Sequence, residues 1–469
     1  MFNNKNIFTI CILILFTFVG LRLFDLNAPW KRMDHYNWGG VHHTMVTECF
    51  QKYPLEITRG VAHFSCEDEE QMQPYPNWPP LTFLALAEFR NLIGTTEPFA
   101  TRFFFFIFSV LNLVLCFQIA REFFKSNRDA LIVTTLHSLT FYTLLYSTHS
   151  DFISDFSSFF FYAAILLALK NQNILAGFGG MVAGMISWGG FFFFPAWFIY
   201  LWRKKDPYWK VVFFAWGPLA ALLGLFLMSY LHRSSSLYAF LYGKLYGPSY
   251  IDNKLSLTYP IEWAYTFFQT QARFLSPAFL FLMGLGFVSL FRRTEPLEKQ
   301  DKLLLILLPG LIYALLAHQY VYIHSFHYHP LWIGFSLLTY LGLKKCFQFH
   351  FSWSLKVFLI FALLVFPYGK YQNSFPWDVA NSLLILTSVV VLFLSLQRKS
   401  EMLLVSAIAI TSLSSASRFL NFRSESPKDF LFCQKARAEF AMTGQPVKAE
   451  VPPHFTRNFY CRGIKILDE

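Results

Sequence analysis

Apolar runs long enough to cross a lipid bilayer recur along the chain, and this pattern constrains the fold more than any other feature. A helix needs about 20 residues to cross a hydrocarbon core of roughly 30 Å, and fewer inside a bundle. We therefore predict thirteen spans. They cover residues 7–24, 99–120, 130–147, 152–169, 173–188, 190–202, 209–231, 276–291, 303–318, 329–343, 353–368, 377–396 and 402–416.

The composition agrees with this reading and excludes a water-soluble globule. Of 469 residues, 55% are hydrophobic and only 14% are charged, and the mean hydropathy is +0.40. The formal charge of +11 does not indicate nucleic-acid binding, because the basic residues form short clusters between apolar runs. Since no small-x-small cleavage site follows the run at 7–24, we interpret it as an uncleaved anchor rather than a signal peptide. The expected class is an all-α polytopic membrane protein in contact with membrane lipids.

Basic clusters fall on alternate connections between the predicted spans, and this predicts the orientation of the chain. The positive-inside rule places such connections in the cytoplasm. An odd number of spans then places the N-terminus in the cytoplasm and the C-terminal tail outside. We expect a transmembrane domain over residues 1–417, located in the plasma (inner) membrane. The outer pieces are the loops 25–98 and 232–275 and the tail 418–469. The clusters are Arg121 with Lys125 and Arg128, Arg203 to Lys205, Arg292 with Arg293, Lys344 with Lys345, and Arg398 with Lys399.

Four cysteines lie in the predicted outer segments: Cys49, Cys66, Cys433 and Cys461. An oxidising compartment would let Cys49 pair with Cys66 and Cys433 with Cys461. Four cysteines permit three connectivities, which the sequence does not distinguish, and free thiols are the alternative. The tail is accordingly either a small folded cap or a floppy end.

The first outer loop, residues 25–98, is the most informative segment for function. It is too polar to span and too aromatic for a disordered linker, so we expect helices lying along the membrane surface. Asp34, Trp38 and His42 recur every four residues and share a face if this stretch is helical, although a Gly-Gly pair between them weakens a helix. The alternative is a polar interfacial turn without a catalytic role.

Three other polar clusters have two interpretations each. Asp151 and Asp155 share one face at the start of a span, where they either complement the helix dipole or orient a substrate hydroxyl. His324 and His327 are costly beside lipid unless they bind something, and their spacing favours an anionic headgroup over a metal. The acidic run at 67–70 is either a cation site or a solvated loop, and we predict no metal.

Several short motifs occur in a characteristic order. The double proline before Leu81 is followed by Gly94, and the stretch Pro98 to Phe103 reads PFATRF. A glycine-rich helix follows at 176–184. In this order the motifs resemble the GT-C superfamily of polyprenyl-phosphate-sugar-dependent glycosyltransferases, in particular the protein O-mannosyltransferase and aminoarabinose transferase-like group. The likeness runs from the first span to about residue 205, with a weaker echo at 320–340.

The resemblance implies that a sugar passes from a polyprenyl phosphate to a lipid, glycan or protein acceptor at the outer face, with inversion at the anomeric carbon. A first-loop carboxylate would be the general base. Asp34 is the candidate for it, and Glu48 is the reserve. The family pattern implies no metal or other cofactor, and polar groups would stabilise the leaving lipid phosphate. The candidate contacts to donor or substrate are His42, His43, Arg102, Asp151, Asp155, Arg273, His324 and His327.

This chain departs from the family pattern in places, and other functions compete with glycosyl transfer. Glu48 stands where relatives often carry an arginine, and the segment at 187–189 lacks the usual lysine. The alternatives are a transporter or lipid flippase, or another outer-face ligase or polymerase of lipid-linked glycans. Transporters commonly show internal repeats and interrupted helices. No such repeat is visible, and the polar residues gather toward one face of the membrane.

Overall fold

The structure is a computed structural model that describes part of the chain, and it is almost wholly helical there. The described residues are 4–23, 26–27, 34–63, 66, 72, 78–95, 98–140, 143, 153–231, 259–291, 296–316, 329–346, 428–443, 445–448 and 466–467. In the first half of the second helix, residues 34–42, the backbone alone is described. The predicted spans 353–368, 377–396 and 402–416 lie outside the described residues.

The helices follow the predicted apolar runs closely through residue 231. Short connections join several of the consecutive helices in this part of the chain, as expected for antiparallel neighbours. The elements are α1 Asn4–Leu23, α2 Asp34–Lys52, α3 Leu55–Thr58, α4 Leu81–Ile93, α5 Pro98–Phe124, α6 Asn127–Ser138, α7 Ile153–Leu169, α8 Asn173–Ile186, α9 Phe193–Arg203, α10 Trp209–Val211, α11 Gly217–Leu231, α12 Tyr259–Phe291, α13 Leu297–Leu316 and α14 Trp332–Cys346.

The largest differences in length from the prediction are in two elements. Helix α12 begins at Tyr259, inside the predicted outer loop 232–275, because helix formation does not require an apolar surface and Pro260 is tolerated in a first turn. Helix α6 ends at Ser138, earlier than the predicted run at 130–147. Two described stretches, α5 and Trp209–Tyr230, are long and apolar enough to cross a membrane by length and composition. The count of thirteen spans stays a prediction.

The core joins α5 to α9 with α13 and α14, and glycines bring one pair of helices into backbone contact. A Cβ atom on Gly342 of α14 would overlap the carbonyl oxygen of Leu282 of α12. In the same way, a Cβ on Gly286 of α12 would overlap the carbonyl oxygen of Leu338. Small residues allow such close approach between helices, and dispersion contacts then replace the hydrophobic driving force that lipid does not supply.

Ion pairs join several helices at one end of the bundle. Asp129 of α6 pairs with Lys344 and accepts a hydrogen bond of 2.7 Å from the Tyr340 hydroxyl, both on α14. Arg203 of α9 binds Asp301 of α13 through Nε and Oδ1 at 2.5 Å. These residues flank connections that the charge pattern assigns to the cytoplasm. The structure therefore brings predicted cytoplasmic connections together at one end.

The tail contains a small folded element. Helix α15, Lys428–Thr443, is followed by strands β1 Val447–Lys448 and β2 Ile466–Leu467, which pair in parallel. Cys433 is buried against Val447 and is disulfide-bonded, while its expected partner Cys461 lies outside the described residues. This strand pair is a departure from the all-α prediction, and it favours a folded cap over a floppy end.

Candidate functional site

Helix α2, which begins at Asp34, is held against α4 and α5 by buried polar contacts. Arg90 of α4 is 1% exposed, and its Nη1 donates a hydrogen bond of 3.2 Å to the carbonyl oxygen of Thr44. Its Nη2 lies 3.7 Å from Oε1 of Glu48. The hydroxyls of Thr44 and Thr101 lie 3.3 Å apart, which links α2 to α5. A buried guanidinium needs such partners to offset its desolvation, so these contacts fix the position of α2.

His43 lies on the inner face of the same helix. Its ring is 1% exposed and meets Phe83 of α4 edge-on, with 5.3 Å between the ring centroids. Burial lowers the pKa of His43 to about 3, because the charged imidazolium is disfavoured away from water. The ring is therefore neutral at physiological pH and supplies no positive charge for a donor phosphate. The ring packs against Phe83, and the donor contact of His43 stays a prediction.

A disulfide fastens the far end of α2. Cys49 is bonded to Cys66, with 5.4 Å between the Cα atoms, which is one of the connectivities left open by the sequence. Lys52, the last residue of α2, donates a hydrogen bond of 2.8 Å from Nζ to the carbonyl oxygen of Cys66. The covalent link and this hydrogen bond together hold Cys66 against the end of the helix.

Removing this disulfide should destabilise the protein. In the chain-entropy model a link that closes a loop of about 15 residues contributes about 3 kcal/mol, and here the separation is 17 residues. We expect the combined change Cys49→Ser and Cys66→Ser to lower the thermal midpoint of the detergent-solubilised protein. Dithiothreitol should lower the midpoint of the unmodified chain more than that of the variant. Equal midpoints without reductant would contradict the expectation.

A polar pocket lies between α5, α6, α7 and α14. Its volume of about 20 Å³ is enough for roughly one water molecule. Helices α6 and α14 each have one end in the ion-paired region and the other at the pocket, so the pocket lies at the opposite end of the bundle. By the positive-inside prediction this is the outer end. The polar residues that line it include Asn112, His137, Thr143, Asp155, Tyr162 and His329.

Hydrogen bonds across the pocket tie its four helices together. Nδ2 of Asn112 donates to the carbonyl oxygen of Asp155 at 2.8 Å, joining α5 to α7. The Tyr162 hydroxyl donates to the carbonyl oxygen of His329 at 3.3 Å. Nδ1 of His137 lies 3.2 Å from Oγ of Ser336, joining α6 to α14. The pocket is therefore a connected polar site within an otherwise apolar bundle.

Arg22, at the end of α1, is a buried charge that the sequence analysis missed. Its side chain is 0% exposed and interacts electrostatically with Asp155 and His137. Among the described residues, none of its three guanidinium nitrogens has a hydrogen-bond partner. The sequence does distinguish this residue, because Arg22 is the single charged residue in the apolar run at 7–24. A charge within a membrane span is costly and marks a functional position by default.

The other predicted site residues divide into two groups. Arg102 is buried, and its Nη1 donates a hydrogen bond of 3.2 Å to the carbonyl oxygen of Leu26, so it ties the chain beyond α1 to α5. The remaining candidates have side chains outside the described part of the structure, although α2 and α12 include some of their backbones. They are Asp34, His42, Asp151, Arg273, His324 and His327.

The described residues contain no cluster of three or more His, Cys, Asp or Glu side chains that could hold a metal ion. The acidic run at 67–70 lies outside the described residues. Metal independence therefore stays a prediction.

Comparison with solved structures identifies the architecture. The fold matches ArnT from Cupriavidus metallidurans bound to undecaprenyl phosphate, with a TM-score of 0.59 and 11% identity over 97% of this chain and 85% of that one. Apo ArnT matches with a TM-score of 0.53 and 12% identity over the same shares. The apo oligosaccharyltransferase of Archaeoglobus fulgidus matches with a TM-score of 0.51 and 12% identity, over 99% of this chain and 64% of that one.

The likeness is one of fold. No protein-family model matches the chain, and no curated protein sequence matches it. At 11–12% identity the solved structures establish a shared architecture without assigning residues. ArnT and the archaeal oligosaccharyltransferase are both GT-C glycosyltransferases and polytopic membrane proteins. The chain therefore shares the fold of these two GT-C glycosyltransferases.

Proposed function

We propose that this protein is a membrane glycosyltransferase that moves a sugar from a polyprenyl-phosphate donor to an acceptor at the outer face of the membrane. The observation that carries the proposal is the extent of the structural match: the fold of ArnT, seen with undecaprenyl phosphate bound, extends over 97% of this chain. The polar pocket at the predicted outer end adds support, because hydrogen-bonding groups are gathered there within an apolar bundle.

The proposed reaction is a single inverting displacement. The acceptor oxygen attacks the anomeric carbon and forms the new glycosidic bond while the bond from that carbon to the donor phosphate oxygen breaks. The polyprenyl phosphate leaves with the bonding electron pair, and a carboxylate takes the proton of the acceptor hydroxyl. The reaction needs no further co-reactant, because cleavage of the bond between the sugar and the donor phosphate supplies the free energy for the transfer.

Asp34 is the proposed base, and the fixation of α2 supports the choice. A catalytic group works best when its backbone is held rigidly in the productive position. The contacts of Arg90 and the disulfide at Cys49 hold α2 against its neighbours. Glu48 is less suited to proton transfer, because its carboxylate faces the buried guanidinium of Arg90. Arg273, His324 and His327 remain proposed donor contacts.

The test is consumption of a lipid-linked sugar. Membranes containing the protein should convert undecaprenyl-phosphate hexoses to undecaprenyl phosphate and a glycosylated product, detected by chromatography of labelled donor. Membranes without the protein, and the same membranes after heating, serve as controls. Movement of intact donor between leaflets without cleavage would contradict the proposal and indicate a flippase. Intact donor throughout a panel of neutral, amino and acidic sugars would also overturn it.

A further inference from the structure

Three exposed apolar side chains lie on α3 and α4, outside every predicted span. Among the described large hydrophobic residues, Leu92 of α4 is the most exposed, at 84%. Leu55, the first residue of α3, is 54% exposed, and Ile93, the last residue of α4, is 36% exposed. All three belong to the polar outer segment 25–98, where an exposed apolar surface indicates contact with an apolar partner. We call Leu55, Leu92 and Ile93 the apolar tip.

A hydrogen bond between two helices brings the members of the apolar tip to one junction. Nε2 of Gln51, near the end of α2, donates to Oδ1 of Asn91 at 2.8 Å. Leu55 follows Gln51 closely in the chain, and Leu92 is adjacent to Asn91. The tip therefore lies where the ends of α2 and α4 meet.

The opposite face of α4 already packs in the protein core. Phe83 and Leu86 are fully buried in a cluster with Phe104 and Phe105 of α5. Leu92 follows Phe83 by about two and a half helical turns, which puts it on the other side of α4. The tip therefore faces away from this core.

The boundary of the membrane lies close to the tip. Helix α5 has 27 residues, which corresponds to about 40 Å, whereas the hydrocarbon core is roughly 30 Å thick. Its ends therefore reach the headgroup regions, and it begins at Pro98 on the predicted outer side. The connection 94–97 carries the chain at most about 17 Å from Ile93 to Pro98. The outer leaflet is thus within reach of the tip.

One face of α4 changes from polar to apolar toward this boundary. Glu88 and Leu92 are one turn apart on the same face, and both are exposed. Glu88 is farther from the start of α5 along the chain, and Leu92 is nearer. This order is the one expected of a helix whose end enters lipid while the preceding turn remains among headgroups and water.

We propose that the apolar tip inserts into the outer leaflet of the bilayer and docks the outer segment on the membrane. The partner is the lipid surface itself, so the inference is independent of glycosyl transfer. Arg90 of α4 donates a hydrogen bond to the backbone of α2. Docking of α4 consequently also holds α2 at a fixed height above the bilayer.

The experiment measures the depth of nitroxide labels in nanodiscs of phosphatidylethanolamine and phosphatidylglycerol. Labels on Leu92→Cys and Leu55→Cys should collide more often with oxygen, which concentrates in lipid, than with a water-soluble nickel chelate. Glu88→Cys is the matched control on the same face of α4 and should favour the nickel chelate. The unmodified chain, labelled in parallel, gives the background from native cysteines.

A charge-bearing variant tests the same contact by a second route. The combined change Leu55→Glu and Leu92→Glu should shift a label on Ile93→Cys from oxygen toward nickel. The thermal midpoint in detergent should stay unchanged, because both leucines are exposed. Nickel access at Leu92 equal to that at Glu88 would overturn the inference. Protection of Leu92 from both reagents would indicate a protein partner, and a lowered midpoint an internal packing role, and either result would also overturn it.

Discussion

Replacing Asp34 by Asn should lower sugar transfer by about 10²–10⁴-fold, the range expected when a general base is removed. The amide keeps the shape of the side chain but does not accept a proton at neutral pH. Donor binding should persist, because the lipid and phosphate contacts are made elsewhere. The measurement is single-turnover consumption of labelled donor in membranes with equal amounts of each protein, together with the affinity for undecaprenyl phosphate.

Controls for Asp34→Asn come from the same outer segment. Glu56 on α3 is exposed, so Glu56→Gln makes the same chemical change and should leave transfer unaffected. Glu48→Gln should have a structural effect, because it leaves the buried guanidinium of Arg90 without its carboxylate partner. Near-normal turnover in Asp34→Asn would move the role of base to Glu48 or Asp151.

Gly286→Ala should destabilise the helix bundle by about 1–3 kcal/mol, as expected for overpacking. The added methyl group would overlap the carbonyl oxygen of Leu338, a backbone atom that no side-chain rotation can move away. Helices α12 and α14 would have to separate along their length. The measurement is the thermal midpoint of the detergent-solubilised protein, followed by tryptophan fluorescence or by loss of monodispersity.

A neighbouring glycine supplies the matched control for Gly286. Gly284 lies on the same helix, and a Cβ added there would meet nothing within 4 Å. Gly284→Ala should therefore be neutral or slightly stabilising. Gly342→Ala should repeat the effect of Gly286→Ala from the opposite helix, because it would strike the carbonyl oxygen of Leu282. Equal midpoints for Gly284→Ala and Gly286→Ala would show that the helices are not closely packed there.

The apolar runs predicted most of the described helices, because a helix buried in lipid or in a bundle needs a continuous apolar sequence. Helix α2 is different. Its sequence is polar, and a Gly-Gly pair interrupts it, yet it is continuous from Asp34 to Lys52. Contacts with Arg90 and Phe83, distant in sequence, supply the stability that local propensity does not. Tertiary packing of this kind is invisible in a single sequence.

The candidate site was predicted less completely than the fold. Asp155 was singled out from its spacing, and the structure places it in a polar pocket. Its electrostatic partner Arg22 was overlooked inside an apolar run, and Asn112 and His137 likewise lie in stretches interpreted only as spans. Residues that come together from four different helices have no regular spacing in the sequence. They can be recognised instead as polar residues within apolar spans, where the lipid environment makes a polar side chain costly.

The contact between α12 and α14 also has a consequence for biogenesis. Helix α13 separates the two in sequence, so their glycine surfaces can meet only after synthesis has passed residue 346. Until then the surface of α12 around Gly286 has no contact with α14. The pairing of α12 is therefore coupled to the arrival of a helix two elements downstream.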